Sequence, residues 1–146
     1  MNYPFIKMKK NKRFSYAPAI AWGIFIFVLS VLPGKDFPSI PDWGDLLSLD
    51  KIVHITFYGV LTGLILWGKR QNIEVRNPDA FGTEGSLSLL FILIVATCCS
   101  GFGWFIEWFQ GAYCQDRMSD VMDGIANTIG AAIGLFAFLW YQKKIT

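Results

Sequence analysis

The chain has 146 residues, of which 53% are hydrophobic and 16% aromatic, and its mean hydropathy is +0.41. This composition excludes an ordinary soluble domain of this length, because the apolar residues form uninterrupted blocks rather than broken, periodic patterns. The net charge of +2 gives no electrostatic argument for a nucleic-acid partner. We therefore expect one membrane domain over residues 1–146 that binds no nucleic acid.

Four apolar blocks follow one another along the chain. The first carries no charged side chain from Phe14 to Gly34, which is long enough for about 30 Å of hydrocarbon at about 1.5 Å per residue. Backbone groups in the bilayer core must hydrogen-bond within their own segment, so each block is predicted to be a helix. The predicted spans cover about 14–33, 51–68, 86–107 and 120–141. The predicted fold class is all-α, an integral membrane four-helix bundle with short loops.

The first block also resembles a signal peptide, because MNYPFIKMKKNKRF supplies a basic segment before it. The apolar run ends in SVLPGKDFP, however, which lacks a clear small-x-small cleavage site. We expect this block to remain in the protein as an uncleaved anchor.

The distribution of lysine and arginine predicts the orientation of the four spans. Ten basic residues fall on one side of the membrane: Lys7, Lys9, Lys10, Lys12, Arg13, Lys69, Arg70, Arg76, Lys143 and Lys144. Only Lys35, Lys51 and Arg117 fall on the other side, where eight acidic residues also lie. We therefore expect a multi-pass protein of the cytoplasmic membrane with both termini on the cytoplasmic side.

Polar side chains from three predicted spans meet at the outer end of the bundle. Span 2 begins there, span 3 ends there and span 4 begins there. The residues concerned are Asp50, Lys51, His54, Tyr58, Glu107, Gln110, Arg117, Asp120, Asp123 and Asn127. Charged groups at such a depth usually face the bundle interior or a wet cavity and pair with one another. The sequence therefore predicts an outward-facing polar pocket.

Helical spacing assigns two faces to span 4. At about 100° per residue, one face carries Asp120, Asp123, Asn127, Gly130, Ala131 and Gly134. The opposite face carries Met122, Ile125, Ile129, Ile133, Phe136 and Trp140, which suits contact with lipid. Gly130 and Gly134 form a GxxxG pattern, as do Gly59 and Gly63 on span 2, and this pattern permits close helix packing. Spans 2 and 4 are therefore predicted to be neighbours.

Three ordered motifs resemble the VanZ-like family of bacterial membrane proteins. They are D-K-x-x-H-x-x-x-Y at Asp50, Lys51, His54 and Tyr58, E-x-x-Q at Glu107 and Gln110, and R-x5-D-x3-N-x2-G at Arg117, Asp123, Asn127 and Gly130. The resemblance covers nearly the whole chain. It implies a four-helix membrane domain and an association with teicoplanin-type glycopeptide resistance, but no defined reaction.

The polar residues support two interpretations that are compatible with each other. In one they form a structural network that fixes the helix ends, with acids near the start of span 4 favoured by the helix dipole. In the other they form a pocket for a lipid head group, a lipid-linked precursor or a lipophilic glycopeptide, and the protein is a resistance or envelope accessory. The expected partners are membrane lipids and such a ligand, and the sequence is compatible with an oligomer.

Two further functions remain as alternatives. A membrane-embedded enzyme acting on a lipid head group would use His54, Glu107, Arg117 and Asp123 for acid–base and charge-stabilising roles. A small transporter is a second alternative, although it needs acidic groups nearer the membrane midplane.

No cofactor and no metal are expected from the sequence. The chain has one histidine and lacks paired cysteines at zinc spacing. The remaining ligand set, His54 with Glu107 and Asp123, follows no zinc motif.

Overall fold

The computed structural model describes residues 15–32, 49–76, 87–114 and 119–145, without the side chains of 74–76 and 145. Four helices lie in these ranges: α1 (Ala17–Val31), α2 (Leu49–Arg76), α3 (Leu89–Tyr113) and α4 (Val121–Ile145). The predicted all-α four-helix fold is therefore confirmed. Helix α2 packs against each of the other three helices, and α3 also packs against α4 and α1.

The four helices alternate in direction. At one end, the start of α2 meets the start of α4 through an ion pair between Lys51 and Asp123. At the other end, Trp67 of α2 stacks on Tyr141 near the end of α4. The described basic residues Lys69, Arg70, Lys143 and Lys144 all belong to this second end. The predicted separation of charge between the two ends is thus present in the described part of the chain.

Three of the four helices are long and apolar enough to cross a membrane, namely Leu49–Ile73, Leu89–Tyr113 and Val121–Lys144. Helix α1 has 15 residues and is shorter than the 14–33 span expected from the apolar run. It begins with Pro18 in its first turn and ends at Val31. Leu32 is extended, at φ −66° and ψ 142°, because a residue that precedes a proline avoids the helical region.

The other helices run further than the apolar blocks. Helix α3 continues past Glu107 to Tyr113, and α2 continues past Gly68 to Arg76. At the start of α3, the Ser88 hydroxyl accepts a hydrogen bond from the Phe91 backbone N–H at 3.3 Å. The Gln142 side chain accepts from the Leu87 N–H at 3.0 Å and donates to its carbonyl at 3.3 Å. The bond from Phe91 satisfies a backbone N–H that the helix start leaves without an intrahelical partner, and the Gln142 bonds join the residue before the cap to α4.

Glycines bring α2 and α4 into backbone contact, as the GxxxG patterns predicted. A Cβ added at Gly130 would collide with the Ile55 carbonyl oxygen, and one at Gly134 would collide with the Gly59 carbonyl oxygen. A Cβ at Gly59 would lie 3.2 Å from the Gly130 carbonyl oxygen. Gly63, in contrast, has no neighbour within 4 Å of such a Cβ. Three of the four motif glycines therefore form the contact.

The two predicted faces of α4 are also observed. Asp123, Asn127, Gly130, Ala131 and Gly134 are buried, whereas Met122, Ile125, Ile129, Ile133, Phe136 and Trp140 are exposed. A bundle whose exposed side chains are large and apolar is suited to a lipid environment. Helix α1 is attached to α2 through Trp22, whose indole N–H donates to the Phe57 carbonyl at 3.0 Å.

Candidate functional site

A polar cluster occupies the end of the bundle where α2 and α4 begin and α3 ends. It consists of Asp50, Lys51, His54 and Tyr58 on α2, Glu107 and Gln110 on α3, and Asp120, Asp123 and Asn127 at the start of α4. These are nine of the ten site residues expected from the sequence. The tenth, Arg117, lies outside the described residues.

Lys51 joins α2 to the start of α4. Its ammonium group lies 2.8 Å from Asp123 Oδ1 and 3.0 Å from Asp120 Oδ2. Lys51 and Asp123 are both buried, whereas the Asp120 side chain is about half exposed. Taking charges out of water is costly, so each of the two buried groups depends on the other. The ion pair is therefore a structural part of the cluster.

His54 lies between the helices and contacts groups on both sides of its ring. Its Nδ1 is 2.9 Å from Asn127 Oδ1 and 3.7 Å from Glu107 Oε1. Its Nε2 is 3.8 Å from Asp50 Oδ1 and 3.9 Å from Asp123 Oδ2. Only the contact with Asn127 has hydrogen-bond length. His54 is thus the residue around which three helices converge.

Three buried side chains of the cluster contain polar atoms without a hydrogen-bond partner in the described structure. These atoms are the Tyr58 hydroxyl, Glu107 Oε1 and Asn127 Nδ2. The three residues are 1%, 2% and 0% exposed, respectively. Most buried polar atoms in proteins have a partner, and an unpaired one costs about 1–3 kcal/mol. The cluster therefore has donor and acceptor capacity that its own contacts do not use.

The structure adds Ser30 and Gly103 to the site, and the sequence indicated neither of them. The Ser30 carbonyl accepts a hydrogen bond from Gln110 Nε2 at 2.8 Å, which links the end of α1 to the cluster. Gly103 makes room for Asn127, since a Cβ at position 103 would lie 2.7 Å from Asn127 Cβ. Gly103 precedes Glu107 by four residues on α3, so helical spacing could have indicated that both lie on the same face of the helix. No sequence signal predicted the Ser30 contact.

Asp120 caps the start of α4. Its Oδ1 accepts a hydrogen bond from the Met122 backbone N–H at 2.8 Å, and its Oδ2 pairs with Lys51. The hydrogen bond from Met122, followed by the bond and the charge of Lys51, lowers the pKa of Asp120 below its ordinary value of 3.8. Both interactions favour the ionised carboxylate.

We expect this carboxylate to contribute to the acid sensitivity of the protein. Because its pKa is lower in the folded state than in the unfolded state, its stabilising contribution is present above the unfolded pKa. The contribution is lost as the pH falls through the folded pKa. Asp120→Asn keeps a capping oxygen but has no such titration. The melting temperature of the variant should fall slightly less than that of wild type between pH 6 and pH 2, and parallel curves would contradict this.

One group of side chains has the composition of a metal site. The carboxylates of Asp50 and Asp123 and the His54 imidazole each offer one ligand atom, and these atoms lie within 4.8 Å of one another. The set differs from the one considered from the sequence, because Glu107 lies on the Nδ1 side of the ring and Asp50 on the Nε2 side.

Comparison with known proteins places the chain in a family. A family model described as VanZ/LLP1 matches residues 5–142, which is most of the chain. No curated protein and no solved structure matches. The match agrees with the resemblance found in the three motifs, and it contains every residue of the polar cluster.

Proposed function

The chain belongs to the VanZ/LLP1 family, and we propose that it binds the polar head group of a lipid or of a lipophilic ligand at the polar cluster. In this proposal the protein is an accessory of the cell envelope that contributes to resistance against teicoplanin-type glycopeptides. The family match and the three long apolar helices establish only the coarser statement, that it is a VanZ-like membrane protein.

The observation that carries the proposal is the unused hydrogen-bonding capacity of Tyr58, Glu107 and Asn127. A purely structural network would be expected to satisfy its own buried atoms, because each unsatisfied atom destabilises the fold. Here a donor, an acceptor and a hydroxyl group converge from three helices with no partner in the described structure. Hydroxyl, amide or amine groups of a ligand would supply such partners.

The proposed orientation places the polar cluster at the outer face of the cytoplasmic membrane. Its support is the position of Lys69, Arg70, Lys143 and Lys144 at the opposite end of the bundle. Cytoplasmic ends of membrane helices carry an excess of lysine and arginine. Both chain termini would then be cytoplasmic, and the cluster would meet head groups of the outer leaflet.

Susceptibility to teicoplanin tests the proposal in a strain whose chromosomal copy of the gene is deleted and that carries the wild-type gene or a variant on a plasmid. We expect Glu107→Gln to behave like the deletion, because the amide replaces one carboxyl oxygen with an NH₂ group and so changes the unused acceptor while nearly preserving the side-chain shape. The change in minimum inhibitory concentration should equal most of the difference between deletion and wild type.

Ser100→Ala is a matched control, since Ser100 lies on α3 and bonds with Thr128 away from the cluster. It should retain wild-type susceptibility. Membrane abundance of each variant is measured in parallel, so that loss of protein is not read as loss of function. If Glu107→Gln is as abundant and as resistant as wild type while the deletion is susceptible, the cluster is not the active element.

An enzyme acting on a lipid head group is the second candidate function, and the contact between His54 and Glu107 favours it. The ring Nδ1 of His54 lies 3.7 Å from the buried Glu107 Oε1, and histidine and glutamate are side chains that often act in general acid–base catalysis. Turnover of a lipid by the purified protein, abolished in His54→Gln, would select this candidate. A lipid composition that is identical in deletion and wild-type cells would exclude a substantial activity of this kind.

A further inference from the structure

The two nitrogens of the His54 ring face chemically different surroundings. Nδ1 lies at hydrogen-bond distance, 2.9 Å, from Asn127 Oδ1. An amide oxygen only accepts hydrogen bonds, so this contact is a hydrogen bond in the Nδ1–H tautomer of His54, which the arrangement favours. In a neutral imidazole this leaves the lone pair on Nε2. The Asn127 side chain therefore holds the His54 ring so that the lone pair on Nε2 points away from Asn127.

The Nε2 side of the ring faces two carboxylates. Asp50 Oδ1 is 3.8 Å away and Asp123 Oδ2 is 3.9 Å away, which are both too long for a direct hydrogen bond. A lone pair and two anionic oxygens thus face one another across a gap. Such groups repel each other unless a cation lies between them. The three ligand atoms lie within 4.8 Å of one another, a span that one ion with bonds of about 2.0–2.5 Å can bridge.

The described side chains of the cluster include more carboxyl groups than cations. The carboxyl groups belong to Asp50, Glu107, Asp120 and Asp123, and the one lysine among these described residues pairs with Asp120 and Asp123. Lys51 is already engaged by Asp120 and by Oδ1 of Asp123, so Oδ2 of Asp123 is left facing the ring. Glu107, which is 2% exposed and has an unpartnered Oε1, lies beside the same ring on its Nδ1 side.

From this arrangement we infer that Asp50, His54 and Asp123 form a binding site for one divalent transition-metal cation of the Zn²⁺ type. An imidazole ligand favours transition metals over Mg²⁺ and Ca²⁺, which prefer oxygen ligands throughout. The hydrogen bond from Nδ1 to Asn127 is the outer-shell contact that metal-binding histidines commonly make.

Three protein ligands leave a fourth position for water or for another ligand, as in open zinc sites. The Asp50 side chain is 60% exposed, so this side of the site is accessible. The sequence alone predicted no metal because Asp50 and His54 match no zinc motif without a third ligand from another helix. The inference does not depend on head-group binding, since metal binding is measurable without any lipid ligand.

Cobalt binding tests the inference on the full-length protein, purified in detergent through a tag without histidines and stripped with a chelator. Co²⁺ replaces Zn²⁺ in such sites and reports coordination by its visible absorption. We expect saturable binding of about one Co²⁺ per chain, displaced by Zn²⁺ and not by excess Mg²⁺. Asp50→Asn and His54→Gln should each weaken binding by about tenfold or more.

Glu74→Gln is the matched control, because it changes a carboxylate of α2 to an amide as Asp50→Asn does, but near the far end of that helix. It should bind Co²⁺ as wild type does. Asp50→Asn changes an exposed side chain and is therefore expected to fold even if His54→Gln does not. The inference is overturned if wild type binds no Co²⁺, if Mg²⁺ displaces it, or if Glu74→Gln weakens binding as much as Asp50→Asn. The last two results would indicate a diffuse acidic surface.

Discussion

Gly130→Ala is expected to destabilise the bundle by about 3 kcal/mol or more, because the added methyl group meets backbone rather than a movable side chain. A Cβ at this position would collide with the Ile55 carbonyl oxygen and would lie 2.9 Å from the Ile55 Cα. Overpacking of a well-packed contact typically costs about 1–3 kcal/mol, and here the only relief is to separate α2 from α4. Thermal unfolding of the detergent-solubilised protein, followed by circular dichroism, measures the effect.

Gly63→Ala is the control for this experiment. Gly63 belongs to the other GxxxG pattern, but nothing lies within 4 Å of the Cβ that the substitution would add. Alanine also favours helix over glycine by up to about 1 kcal/mol in water. The control should therefore match or exceed the stability of wild type. If both variants lose stability equally, glycine matters here for a reason other than the α2–α4 contact.

Lys51→Met is expected to cost about 3–5 kcal/mol, because it leaves Asp123 buried and without its cation. The ammonium group of Lys51 lies 2.8 Å from Asp123 Oδ1, and both residues are 8% exposed. Methionine preserves most of the side-chain volume, so the loss reports the charge rather than a void. Thermal unfolding at neutral pH, compared with wild type, checks the expectation.

A double variant separates the buried charge from general damage. Asp123→Asn combined with Lys51→Met removes both charges, and it should be more stable than Lys51→Met alone. Lys69→Met is the matched single control, since Lys69 lies at the opposite end over the Phe91 ring at 5.1 Å. The stability lost in Lys69→Met should stay at about 0.5–1 kcal/mol, which is typical of a cation–π contact at the surface. A cost equal to that of Lys51→Met would contradict the importance of burial.

These two experiments address the link between packing and the site. Ile55, which faces Gly130, directly follows His54 in the sequence, so the α2–α4 contact sets the height of His54 relative to Asp123 and Asn127. A variant that separates the helices is therefore expected to impair the polar cluster as well. The Gly130→Ala protein should accordingly bind Co²⁺ more weakly than Gly63→Ala, in parallel with its lower stability.

Most of the fold could be predicted from the sequence. The apolar blocks indicated four helices, because a bilayer forces the backbone of each segment to satisfy its own hydrogen bonds. The faces of α4 followed from helical spacing alone. The helix ends were less predictable: α1 ended early before Pro33, and α2, α3 and α4 extended beyond their apolar blocks. A helix continues as long as its backbone geometry is allowed, whereas the apolar block ends where the side chains become polar.

The candidate site was predicted as a set of residues but not as a set of contacts. Nine of its ten residues are described, and all nine lie at the predicted end of the bundle. The sequence did not show which of these residues pair with each other. Lys51 pairs with Asp120 and Asp123, Gln110 donates to the Ser30 carbonyl, and Glu107 Oε1 has no hydrogen-bond partner among the described residues.

The sequence by itself determined that the chain is a helical membrane protein and that its acidic residues gather at one end. Periodicity and hydropathy are properties of single segments, so they needed no knowledge of the partners. Tertiary structure alone decided which glycines touch and which nitrogen of His54 faces which carboxylate. Those features depend on the rotation and relative height of two helices, and a shift of one residue along α2 turns a side chain by about 100°. The two carboxylates beside Nε2 therefore became apparent only in the packed bundle.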